Sequence, residues 1–213
     1  MSAGNNAVTQ TKESQSSING QMAKQMLMEG NARFVSQGFL NRDFQSQVQM
    51  TSTGQYPFAA VVSCIDSRIP TEIVFDQGIG DIFNARIAGN FVNADILGSL
   101  EFACKLAGSK LIVVMGHTSC GAVKGACDNA KLGNLTQMLG KIMPAVDQTG
   151  TAEGEARDSS NLNFVNRVAE ANVRLTIDAI RKESPVLNEM EENGEIEITG
   201  AMYDVKTGSV NFL

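Results

Sequence analysis

The stretch 110-KLIVVMGHTSCGAVKG-125 decides the fold. Leu111 to Met115 form an unbroken apolar run, Gly116 ends it, and a helical pattern opens beyond Cys120. A short apolar run closed by turn residues is the pattern of a strand buried on both faces. On its N-terminal side 95-DILGSLEFACKLAGS-109 reads as a helix closed by Gly108. Further out, 58-FAAVVSC-64 and 81-DIFNARI-87 read as two more strands, with 70-PTEIVFDQG-78 between them as a short helix carrying Pro in its first turn. Strands separated by helices predict a parallel sheet, so the expected class is α/β: a central, mostly parallel β-sheet flanked by helices.

Both ends of the chain add to this body. Met22, Met26, Leu27, Ala32, Phe34 and Val35 recur at helical spacing and predict an N-terminal helical arm of one or two amphipathic helices. Before it, residues 1–17 are polar and read as a flexible tail, leaving 18–213 as a single domain. Downstream, 134-NLTQMLGKIMPAV-146 and 161-NLNFVNRVAEANVRLTIDAI-180 read as helices around a loop at 148–160. Helix 185-PVLNEMEENG-194 and a C-terminal hairpin, 195-EIEITGAMYDV-205 with 209-SVNFL-213, complete the chain. The alternation Glu195, Ile196, Glu197, Ile198 places the hairpin at a sheet edge or rim.

Composition narrows the function classes. The 213 residues are 43% hydrophobic and 19% charged, as in an ordinary globular protein. With 17 basic against 23 acidic residues and no basic run, nucleic acid is not an expected partner. No apolar run reaches the roughly 18 residues of a membrane helix, so no membrane partner is expected. As it stands the sequence implies a cytoplasmic protein, or a periplasmic one if a leader preceded Ser2. Cys64, Cys104, Cys120 and Cys127 lack the dense spacing of a disulfide framework, which favours thiolate chemistry.

Two strand ends carry that chemistry. In 61-VVSCIDSRIP-70 alternation puts Cys64, Asp66 and Arg68 on one side of extended backbone. His117, the only histidine, stands three residues before Cys120 at a strand-to-helix turn. In a parallel sheet ligands bind beyond the carboxyl ends of strands, where Cys64 and His117 both fall. Two thiolates and an imidazole with a fourth place open are the donor set of catalytic zinc. Structural zinc would want a fourth ligand, for which Cys104 and Cys127 are the spare thiols. A phosphate-binding loop is not formed, because Ala122 and Val123 separate Gly121 from Lys124.

The paired motifs 64-CIDSR-68 and 117-HTSC-120 resemble the Cys-x-Asp-x-Arg and His-x-x-Cys signatures of β-class carbonic anhydrases. Similarity continues through 75-FDQGIGDIFNARIAGN-90, 98-GSLEFACKLAGSKLIVVMGH-117 and 200-GAMYDVKTGSVNFL-213. The resemblance implies reversible hydration of CO2 to bicarbonate by zinc-bound hydroxide, with one Zn2+ per subunit on Cys64, His117 and Cys120. It makes Asp66 and Arg68 the catalytic dyad. Gln55 matches a substrate-donating glutamine of the plant-like branch, Phe83 an aromatic of the CO2 pocket, and backbone N–H groups near Gly121 donors to the product. Ala88 stands where plant enzymes carry a larger aliphatic residue. The chain has no Trp, so the bicarbonate site of the inhibited branch is not expected. A homodimer or homotetramer with the site at the subunit interface is also implied. Two alternatives remain at this level: a CS2 or COS hydrolase on the same scaffold, and a non-catalytic zinc protein closed by Cys104 or Cys127.

Overall fold

The computed structural model describes residues 8–213. Its strands are β1 (Ala59–Ser63), β2 (Ile82–Arg86), β3 (Leu111–His117), β4 (Glu197–Tyr203) and β5 (Val210–Phe212). They form one sheet in the order β2-β1-β3-β4-β5. The first four run parallel, and β5 turns back against Ala201 to Tyr203 of β4. The expected parallel sheet with a C-terminal edge hairpin therefore forms. β1 and β3 are interior strands buried at every residue, which is why they read as unbroken apolar runs.

Alternate residues serve opposite faces. Val61, Val113 and Met115 face one core, shared with Leu27 and Phe164. Val62, Ile112 and Val114 face the other, shared with Leu100 and Leu187. The long helix α9 (Leu162–Glu183) lies across β3 and β4 and feeds both cores. Its close approach depends on Gly116 and Gly200. A Cβ on Gly116 would stand 2.7 Å from Val173 Cγ2, and one on Gly200 2.8 Å from Val173 Cγ1. The last long element, α10 (Pro185–Glu192), starts with Pro in its first turn and packs on α9.

Other helices depart from the sequence reading for local reasons. Between β1 and β2, α4 spans only Thr71–Val74, because Asp76 turns into the left-handed region at φ 45 to meet Arg33 and Arg42. The expected helix 95–109 is α5 (Ala94–Glu101) followed by a π-helical turn, Phe102–Leu106, and Gly108 closes it at φ +84. After α6 (Gly121–Cys127), the single helix expected over 134–146 is two, α7 (Gly133–Leu139) and α8 (Met143–Gln148). Pro144 has no N–H for a continuing helix and instead sits in the first turn of α8.

The N-terminal arm comprises α1 (Lys12–Ser16), α2 (Gly20–Val35) and α3 (Phe44–Thr51). Residues 1–7 of the expected tail lie outside the described residues. Within its remainder, Gln15 of α1 is buried and donates to Pro57 O and Ala107 O at 2.7 and 2.9 Å. Ala23 and Leu27 of α2 join the core of the same chain. Asn31 fastens that helix to the hairpin, donating to Gly208 O at 2.9 Å and accepting from Val210 N–H at 2.8 Å. Among the described residues no helix is long and apolar enough to cross a membrane.

Candidate metal centre

Two neighbouring strands deliver the site. Cys64 follows the last residue of β1, and His117 is the last residue of β3. Cys120 is the N-cap of α6, reached through Ser119 at φ 55, whose N–H is held by Asn166 Oδ1 at 2.9 Å. The three buried side chains place their ligand atoms within 4.8 Å of one another. The two Sγ atoms are 4.0 Å apart. Two thiolates on tetrahedral zinc, with Zn–S of about 2.3 Å, lie about 3.8 Å apart, so this spacing suits the ion.

The protons argue the same way. Thr118 O, 3.0 Å from His117 Nδ1, can only accept, so Nδ1 carries the hydrogen and Nε2 presents a lone pair. That Nε2 is buried without a hydrogen-bond partner. An orphaned buried nitrogen is costly, and a cation at the centre of the triad satisfies it. The Cys120 hydrogen bond pulls the Cys64 thiol down to about 4, while the same bond together with burial pushes Cys120 up. A metal ion seated between the two sulfurs would displace their protons and bind both as thiolates. The donor set fits Zn2+.

Asp66 and Arg68 stand beside the cluster. Arg68 Nε and Nη2 donate to Asp66 Oδ1 and Oδ2 at 2.9 and 2.7 Å, and the Arg68 backbone N–H adds a third bond at 3.0 Å. The Arg68 side chain is the main reason the Asp66 carboxyl is held down at about 2. Asp66 Oδ2 nevertheless lies 3.9 Å from His117 Nε2. The loop that carries Asp66 is clamped by Arg86, whose Nε and Nη2 donate to Cys64 O and Asp66 O at 3.0 and 2.7 Å. A cavity of ≈ 250 Å³ opens onto these groups, lined by Cys64, Asp66, Ala88, Gly121, Leu135 and Met138 among others.

Not every expected residue reaches this cavity. Gly121 lines it, but Gln55, exposed ahead of β1 while Cys64 follows that strand, is not among its lining residues. Phe83 lies opposite Ala60 near the start of β2 and packs edge-on against Phe102, 6.2 Å between ring centres. Cys104 belongs to the core on the opposite sheet face, and burial pushes its thiol up to about 12. Cys127 is likewise raised to about 11 by burial. Among the described residues no fourth ligand joins Cys64, His117 and Cys120. Sequence reasoning missed Arg86, although a charge at the end of a strand beside a Cys-bearing strand end was the available signal.

Fold and site together place a Cys-His-Cys group that could hold a metal ion at the carboxyl ends of a parallel sheet. The family profile described as carbonic anhydrase matches residues 59–210. Carbonic anhydrase 2 of Mycobacterium tuberculosis is 34% identical over 184 residues, covering 85% of this chain and 87% of that one. A carbonic anhydrase of Mycolicibacterium smegmatis is 34% identical over 196 residues, covering 86% and 88%. Among solved structures, a β-carbonic anhydrase of Aspergillus fumigatus superposes with TM-score 0.66 at 28% identity, covering 91% and 88% of the two chains. One of two tetrameric β-carbonic anhydrases from Sordaria macrospora shares the fold, with TM-score 0.67 at 24% identity over 79% and 90%. The chain belongs to the carbonic anhydrase family, in its β class.

Proposed function

We propose that the chain interconverts CO2 and bicarbonate using one Zn2+ per subunit, held by Cys64, His117 and Cys120. The unpartnered Nε2 of His117, in a three-ligand cluster beside a restrained carboxylate, carries this reading. When bound, zinc would lower the pKa of its water to about 7 and so supply hydroxide at neutral pH.

The protein's own groups do the rest. Asp66, ionised at any physiological pH, is only an acceptor, so it would accept a hydrogen bond from the nucleophile and orient it toward the substrate without taking its proton. Arg68 and Arg86 keep that carboxylate and its loop in place. Ala88, Leu135 and Met138 give CO2 an apolar seat with no competing hydrogen bond. The N–H at Gly121, where α6 begins, faces the developing bicarbonate. A homo-oligomer completes the reading, supported by the tetrameric Sordaria macrospora enzymes of the same fold. In it Gln55 and Phe83 line the site of a neighbouring copy, since neither lines that of its own chain.

Stopped-flow CO2 hydration on zinc-loaded protein tests this. Cys64→Ser is expected to lose metal and activity together, and Asp66→Ala to keep zinc while slowing about 10²-fold. Stoichiometric zinc with no hydration in the parent would defeat the proposal and favour a closed or repurposed site.

A further inference from the structure

Asn172 is a buried amide, 2% exposed, on the face of α9 that otherwise presents Val165, Val168, Ala169 and Val173 to the core. Its Nδ2 donates to Gly89 O at 2.7 Å. Gly89 in turn donates its N–H to Cys64 Sγ at 3.4 Å. One residue is thus gripped at both peptide groups, its carbonyl by α9 and its N–H on a sulfur of the metal centre.

The turn around Gly89 has little other freedom. Gly89 and Asn90 are both left-handed, at φ +85 and φ 42, an uncommon conformation for Asn90. A Cβ on Gly89 would stand 2.4 Å from Ile142 Cδ1 and 3.5 Å from Ala122 Cβ. The Gly89–Asn90 peptide is held on one edge by the Asn90 N–H, which donates to Ile87 O at 2.9 Å, and on the other by Asn172, which takes the Gly89 carbonyl, so that Gly89 is braced next to the peptide whose N–H reaches Cys64. A polar residue in an apolar helix stripe is retained at a cost in desolvation, which this one bond to a backbone carbonyl offsets.

We propose that Asn172 is a positioning residue for the Cys64 thiolate, acting through the Gly89 peptide to hold an N–H donor on that sulfur. An N–H···S bond draws charge from a metal thiolate and fixes its direction, so its partner tunes the metal without touching it. The inference rests on the metal reading above.

The test compares Asn172→Leu, close in size but unable to donate, with Thr176→Val, which removes another buried polar group one turn further along α9. Zinc affinity is read by chelator competition, and the thiolate-to-metal charge-transfer band by absorption of the cobalt-loaded proteins. Asn172→Leu is expected to weaken zinc about 10- to 100-fold and displace the cobalt band, and Thr176→Val to leave both unchanged. Parent-like affinity and spectrum in Asn172→Leu, or equal effects in Thr176→Val, would overturn the proposal. If Asn172→Leu does not fold, the parent loaded with an NMR-active cadmium isotope decides: the bond predicts a coupling between the Gly89 amide proton and the metal, and its absence refutes the proposal. Failure of the parent to bind zinc or cobalt at all would strike the metal reading itself.

Discussion

His117 is the chain's only histidine, and its Nδ1 is spent on Thr118 O while its Nε2 faces the two thiols. No second imidazole is left to carry a proton out of the site near neutral pH. Turnover is therefore expected to rise with buffer concentration, measured as CO2 hydration at fixed pH and ionic strength; a rate that stays flat as an imidazole-type buffer is diluted would refute this. At this scale the sequence was legible wherever a side chain acts directly. Cys64 and Asp66 line one cavity, whereas Arg68 meets Asp66 through a turn at 67–68 and not along the extended backbone that alternation implied. Asn172 was not legible, because it acts on the carbonyl of a distant residue, and a carbonyl has no signature in a sequence; Arg86 acts on carbonyls too, and only its charge at a strand end hinted at it.

Elements were legible where the periodicity reports burial. β1 and β3 are buried on both faces and read as apolar runs, whereas α3 inverts the rule. Its Phe44, Val48 and Met50 are 52%, 50% and 53% exposed, while Gln47 is 1% exposed and takes the inward place, accepting from Ile79 N–H at 3.1 Å. No core-facing stripe exists there for a pattern to reveal. The contact of α9 with the sheet yields a stability prediction. Gly200→Ala forces a methyl against Val173 Cγ1 and is expected to cost about 1–3 kcal/mol by urea unfolding, with Val173→Ala restoring part of the loss in the double variant. An additive double variant would mean the two residues do not meet. The loop before α9 gives a pH prediction. Arg167 at 2.8 Å, then Asn161 at 2.9 Å, hold the Glu155 carboxyl down at about 2. Since the folded value lies below the unfolded one of about 4.3, this stabilisation is complete above about pH 4.3 and lost as pH falls toward about 2. Melting curves of the parent and Glu155→Gln are expected to differ slightly at neutral pH, exposure keeping the gap small, and to converge across that window. A gap that widens on acidification would contradict the assignment.

At the scale of the whole molecule, what one chain leaves uncovered matters most. Phe39, Leu40, Phe44, Ile73 and Ile79, each partly exposed, gather around a surface hollow of ≈ 670 Å³, and clustered exposed apolar side chains mark an interaction surface. The same chain keeps Gln55 and Phe83 away from its own metal centre. Under the proposed homo-oligomer a second copy would account for both facts, covering the apolar surface and receiving the two side chains in its site. In a two-fold dimer each site then takes its ligands from one chain and its glutamine from the other. Cys64→Ser abolishes its own site but still offers Gln55, and Gln55→Ala keeps its ligands but offers nothing to its neighbour. Each variant alone is expected to lose about 10²-fold or more in CO2 hydration. After unfolding and refolding together in equal amounts, half of the dimers are mixed and each mixed dimer holds one complete site, so activity should return to about a quarter of the parent's. Recovery that tracks the formation of mixed dimers would locate Gln55 across the interface. Activity no greater than the mean of the two variants, with mixed dimers demonstrably present, would mean that Gln55 does not act across the interface and would refute the shared site.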